Sequence, residues 1–243
     1  MADFFFNALV GAAAAAAKDD AFTLDLLATA ENLSWSYYAY WSFADGGYRV
    51  DYGDGTGLEK PIGSTGVGAQ VTHTYASPGS YKVRFKGLGS GLYRLLLQSI
   101  GILVGCNFNW AALGNLTNGQ QMFNGCPNLA GTLTSLPPDL TNGRQMFCDC
   151  NRLVAKINSL PSGLTGHCGS MFDKCYKAEI DLDTLVANAP AGGWPGVTNM
   201  SFFIRQGGSG NVPGTVTGSQ SAFQAMFPNA TWTQAFNGTN TTA

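Results

Sequence analysis

Two consecutive segments of this chain are versions of one another. LTNGQQMFNGCPNLAGTLTSLPPD, residues 116–139, aligns without gaps with LTNGRQMFCDCNRLVAKINSLPSG, residues 140–163, and twelve of the 24 positions are identical. A third copy, LTGHCGSMFDKCYKAEIDLDTLVAN, covers residues 164–188 with one insertion, and Val197-Thr198-Asn199 begins a weaker fourth. The equivalent apolar positions are Leu116, Leu140 and Leu164; Met122, Met146 and Met171; Phe123, Phe147 and Phe172; Cys126, Cys150 and Cys175; and Leu136, Leu160 and Leu185. One such unit cannot bury these side chains alone. Neighbours stacked on each other make a continuous core, so a fixed period of this length predicts a solenoid. Leu140, Met146, Phe147 and Leu160 are expected inside it, with their equivalents stacked above and below.

Within each copy the Met-Phe-x-x-Cys-x-x-Leu spacing is helix-like. Leu-Pro at 136–137 and 160–161 ends each extended segment, because proline lacks the N–H that a ladder needs. The period falls in the range of leucine-rich repeats. The pattern resembles the BspA-like leucine-rich repeats of bacterial surface proteins and some phage virion proteins.

Ahead of the repeats, residues 20–88 read as short strands. Phe22, Leu24 and Leu26 alternate. Ser34–Phe43 is dense in aromatics, and Tyr48–Tyr52, Thr72–Tyr75 and Ser80–Phe85 are further strand candidates, with turns at Asp54-Gly55 and Pro78-Gly79. Many short strands punctuated by glycine and proline predict a β-sandwich. Val50-Asp51-Tyr52-Gly53-Asp54-Gly55, Thr72-His73-Thr74-Tyr75 and Pro78-Gly79-Ser80-Tyr81-Lys82-Val83 resemble the PKD (polycystic kidney disease) domain. That resemblance implies an immunoglobulin-like sandwich acting as a spacer or interaction module. BspA-like repeats often follow such a module.

The expected fold class is therefore mainly β with short helices: a PKD/immunoglobulin-like β-sandwich followed by a short leucine-rich-repeat solenoid. The divisions are an apolar arm or helix at 1–19, the sandwich at 20–88, the repeats at 89–205 and an uncharged cap or tip at 206–243.

Charge narrows the function. Charged residues make up 12% of the chain, about half the usual share, and the net charge is −2. That leaves no overall basic field for nucleic acid. Residues 95–138 carry no Asp, Glu, Lys or Arg, and after Asp183 the only charged residue is Arg205. Such neutral stretches fit burial against other subunits, or a surface solvated by Asn, Thr, Ser, Gln and Gly. No run of about 18 apolar residues exists to span a membrane.

Met1 to Asp20, MADFFFNALVGAAAAAAKDD, lacks the basic start of a secretory signal, with Asp3 in its place. It reads as an Ala-rich segment whose Phe4, Phe5 and Phe6 are candidate assembly anchors. Asp51 and Asp54 have the chemistry of calcium ligands, but in a Gly-rich turn they serve equally as backbone acceptors. Cys148, Cys150, His167, Cys168 and Cys175 lack the paired knuckles of structural zinc, and three of the cysteines on one repeat position suit a ladder core. No catalytic constellation stands out, and no cofactor or metal is expected. Trp194, Phe223, Phe227 and Trp232 are candidate partner-binding residues, or else the interior of a cap.

These readings point to a non-enzymatic virion structural or adhesion protein, such as a capsid decoration, head fibre or tail-associated component. Its partners would be other virion proteins or copies of itself in a homo-oligomer, with a host-surface glycan or protein as a further candidate. The alternative is an exported adhesin on a bacterial cell surface.

Overall fold

The computed structural model describes residues 20–41, 47–60, 70–88, 92–204, 215–233 and 240–242. The arm at 1–19, with Phe4, Phe5 and Phe6, lies outside the described residues.

The first part is two antiparallel sheets. One is a five-stranded sheet of β1 (Phe22–Ala28), β3 (Gly47–Asp51), β4 (Gly57–Lys60), β6 (Gly79–Leu88) and β8 (Leu103–Cys106), in the order β4-β3-β6-β1-β8. The other joins β2 (Ser34–Trp41), β5 (Gln70–Thr74) and β7 (Leu92–Leu96), in the order β5-β2-β7. Alternation decides which side chains face inward. Phe22, Leu24 and Leu26 from β1, Val83 and Phe85 from β6, and Trp35, Tyr37 and Ala39 from β2 are buried. Tyr37 meets Phe85 edge to face with centroids 5.1 Å apart, which is a favoured aromatic geometry. The Tyr37 hydroxyl lies 3.4 Å from that of Tyr48 and 3.3 Å from that of Tyr52, and burial holds its phenol far above the ordinary range.

The outward positions are polar and paired across strands. Ser34 and Thr74 share a hydroxyl bond of 2.7 Å, and Ser36 and Thr72 one of 2.8 Å. Lys82 pairs with Asp25 at 2.9 Å, and Lys86 pairs with Asp20. Lys82 and Asp25 are half-exposed, so their pair contributes at most about 1 kcal/mol.

β7 and β8 belong to both halves of the molecule. β7 completes one sheet beside β2, and β8 completes the other beside β1. Arg94 also forms a parallel bridge to Asn118, and Gly105 one to Ala130. The sheets therefore pass into the repeats without a break, and a single hydrophobic core runs from Phe22 to Phe227. The sequence boundary at 88/89 falls just before these shared strands.

The repeats stack as rungs. Short parallel pairs mark the stacking: β9 (Thr132–Leu133) with β10 (Val154–Ala155), β11 (Gly166–His167) with β13 (Val197–Asn199), and β12 (Glu179–Asp181) with β14 (Thr215–Thr217), which in turn pairs with β15 (Asn240–Thr242). Leu140, Met146, Phe147 and Leu160 are buried, as are their equivalents. Phe123, Phe147 and Phe172 form one column, with centroids 5.5 and 5.6 Å apart and ring planes within 13° and 1°.

The Met-Phe-x-x-Cys segments are not helices, contrary to the expectation from their spacing. Their backbone N–H groups alternate between two uses. Those of Met122, Asn124 and Cys126 close local turns onto Gly119, Gln121 and Phe123. Those of Gly119, Gln121, Phe123 and Gly125 reach the carbonyls of Asn142, Arg144, Met146 and Cys148 on the next rung. An α-helix commits every N–H to its own i−4 carbonyl, so the four bonds to the next rung would be lost. The alternation requires left-handed residues at fixed places. Gln121, Gln145, Ser170 and Phe202 occupy one such column, with φ between 53° and 59°. The helices lie elsewhere: a 3₁₀ turn at Trp110–Leu113, α1 at Leu182–Ala187 and α2 at Gln220–Ala225. Asp181 caps α1 and Ser219 caps α2, each accepting a first-turn N–H.

Candidate functional site

One set of polar side chains in the rungs is occupied with backbone. Asn118, Asn142, His167 and Asn199 share one column. Each accepts an N–H two residues on: Gln120 at 2.9 Å, Arg144 at 3.1 Å, Gly169 at 3.1 Å and Ser201 at 2.8 Å. His167 thus does the work of an asparagine, through Nδ1. Burial, with the Arg144 charge second, holds its pKa below the usual imidazole range.

The cysteines behave likewise. Cys126, Cys150 and Cys175 donate S–H to the carbonyls of Leu97, Phe123 and Phe147, at 3.1, 3.1 and 3.0 Å. All six are free thiols. Burial pushes Cys126, Cys148 and Cys168 up to about 12, and holds Cys150 and Cys175 well above the ordinary thiol range. Such groups are poor nucleophiles at neutral pH. Among the described residues no group of three or more His, Cys, Asp or Glu could hold a metal ion.

The carboxylates of the β3–β4 turn serve the turn itself. Asp51 accepts the Gly53 N–H at 2.8 Å, and Asp54 accepts the N–H and hydroxyl of Thr56 at 3.0 and 2.6 Å. The other Asp54 oxygen meets His73 Nε2 at 2.9 Å, tying the turn to β5. His73 also stacks on Tyr52 at 3.9 Å. Gly53 is needed here: its φ is +81°, and a Cβ would stand 2.6 Å from the Lys82 carbonyl.

Of the four aromatic residues the sequence marks for partner binding, three are interior. Trp194 and Phe227 stack at 4.9 Å, Phe223 meets Phe227 edge to face at 5.1 Å, and all three are buried. Trp194 also donates its indole N–H to the Pro161 carbonyl at 2.8 Å. They hold the last rungs together, because the end of a stack must bury its own apolar face. Trp232 packs edge-on against Phe223 and Phe227 and is only partly buried.

A concavity lies where the two sheets pass into the stack. The β2–β7 ladder ends at the Tyr38–Leu96 pair, and the chain then turns across to β8. That turn, 97–102, and the β1–β2 connection leave between them a cleft of about 630 Å³. Ligand pockets commonly measure about 300–1,000 Å³. Leu27, Ile100 and Ile102 supply apolar wall, while Asn32, Gln98 and Asn128 supply amides. Arg152 reaches the cleft from the second repeat and is the only charged residue of its lining among the described residues. No motif marks these residues, which come from four separate stretches of chain. The one sequence sign was indirect: most of the far wall belongs to the charge-free stretch 95–138.

No family model, curated protein or solved structure matches the chain. Among the described residues no helix is long and apolar enough to cross a membrane.

Proposed function

We propose that this protein is a non-enzymatic structural or adhesion component of a virion, docking by its N-terminal segment and presenting the repeat stack for binding. The observation that carries this reading is the use made of the reactive side chains. The cysteine column and the Asn/His column spend their polar atoms on neighbouring backbone, and the carboxylates of Asp51 and Asp54 are taken up by turn N–H groups, the Thr56 hydroxyl, Arg84 and His73. What remains outside is a rigid, single-core body with a neutral amide and hydroxyl surface over residues 95–138. Such a body suits presentation and contact better than catalysis. The resemblance to a PKD-like module followed by BspA-like repeats supports the same assignment, since those modules serve as spacers and binding surfaces.

Mass spectrometry of purified particles tests it. The protein should be a stoichiometric particle component, and deletion of residues 2–17 should abolish its incorporation while the rest stays folded. Recovery of the chain only from bacterial envelopes would overturn the virion assignment.

A further inference from the structure

Arg152 is an exposed guanidinium with no ion pair or hydrogen bond among the described residues. It stands over a cleft whose lining, among the described residues, holds no carboxylate. Around it the polar side chains are also uncommitted. Asn32 and Gln98 are exposed and make no side-chain bond among the described residues, and Asn128 uses only its amide N–H, on the Gly101 carbonyl at 2.9 Å. This contrasts with the column of Asn118, Asn142, His167 and Asn199 in the stack, whose side chains each accept a backbone N–H. Leu27, on the near wall, is one of two large apolar side chains left exposed among the described residues.

A lone cation among free amides, beside a small apolar wall, defines the ligand by its chemistry. The guanidinium offers a planar, bidentate seat for a carboxylate. Asn32, Gln98 and the free Asn128 oxygen supply donors and acceptors for several hydroxyls. Leu27, exposed on the near wall, offers a surface for the apolar face of a ring. An inorganic anion would leave the amides and the apolar wall unused, and a neutral sugar would leave Arg152 unpaired. We propose that this cleft binds a carboxylate-bearing saccharide, with the carboxylate on Arg152 and the ring hydroxyls on the amides. The inference deepens the reading of the protein as a non-enzymatic binder, and rests on it. It names the ligand class such a binder would take.

The full-length protein would be titrated by calorimetry with 3′-sialyllactose, with a glucuronate-containing hyaluronan tetrasaccharide, and with lactose as the neutral control. At least one acidic glycan should bind about tenfold or more tighter than lactose, the better of the two identifying the acid, and added salt should weaken it. Arg152→Gln should erase that margin, whereas Arg144→Gln, an exposed arginine outside the cleft lining, should keep it. Both variants lie on the surface, and unchanged melting would show that they fold. Equal affinity for lactose and both acids, no binding of any of them, or an Arg152→Gln variant that binds as the parent does would overturn the proposal. Particle incorporation is read separately: a protein that incorporates but binds no acidic glycan sinks only this site, and the reverse outcome sinks only the virion assignment.

Discussion

Met171 occupies the space that a Cβ on Gly143 would need, so one rung's missing side chain is the next rung's methionine pocket. Gly119 and Met146 repeat the relationship one rung earlier, where the Met146 sulfur would lie 2.7 Å from such a Cβ. The pairing explains why glycine and methionine recur together in the first two repeats. Met171 is fully buried and cannot swing into solvent. Gly143→Ala should therefore destabilise the protein by about 1–3 kcal/mol, as overpacked cores do. In a double-mutant cycle with Met171→Ala, chemical denaturation should give a coupling of about 0.5 kcal/mol or more, because the truncated partner relieves the clash. Additive losses would show that the two sites do not share this space.

Phe147 is the middle ring of the aromatic column, within 5.6 Å of the rings on either side. Removing it leaves a cavity that two neighbouring rungs cannot close without breaking their inter-rung bonds. Phe147→Ala should cost about 3–5 kcal/mol, and Phe147→Leu distinctly less. Thermal melting of both variants decides this. Near-parental stability of the alanine variant would mean that the column does not hold the stack.

Met171 and Phe147 are residues that the sequence singled out by periodicity, though Gly143 is not. Met146, Phe147 and Cys150 recur at one interval, and only stacking makes identical positions neighbours. The first strands were legible on similar grounds: the alternation of Phe22, Leu24 and Leu26 survives as inward-facing residues of β1. Local conformation within a rung was not legible. The i, i+1, i+4, i+7 spacing of Met122, Phe123, Cys126 and Leu129 is shared by a helix and by successive tight turns. What separates them is the left-handed backbone at Gln121 and Gly125, and glutamine does not advertise it. The cleft was hidden for another reason. Leu27, Gln98, Asn128 and Arg152 are brought together by the crossover of β7 to β8, a tertiary event without a local signature.

The thiols give a chemical test of the stack. Cys126, Cys148 and Cys168, at about 12, stay protonated at pH 8, and Cys150 and Cys175 more so. Alkylation needs thiolate and access, and both are missing. Iodoacetamide at pH 8 should label these five cysteines slowly in the native protein and quickly in denaturant, as intact mass spectrometry would record. Fast labelling of Cys150 or Cys175 in the native protein would mean that the rungs open readily.

His167 makes stability depend on pH. Its Nδ1 lone pair accepts the Gly169 N–H, so a proton added there removes the acceptor that shapes the turn. Burial and the Arg144 charge lower its pKa in the folded state below the unfolded value of 6.5. The unfolded chain therefore binds this proton first as pH falls. Linkage then fixes the sign: stability is full above the unfolded value and is lost as pH drops from there toward the lowered folded value. Asp54 and Asp181, whose folded pKa values are lowered from 3.8, lose their contributions only in more acidic solution. Urea denaturation between about pH 7.5 and pH 5 should thus show a decline that His167→Asn reduces, because asparagine fills this column in three other rungs and does not titrate. A variant that declines as steeply as the parent would place the pH dependence on another group.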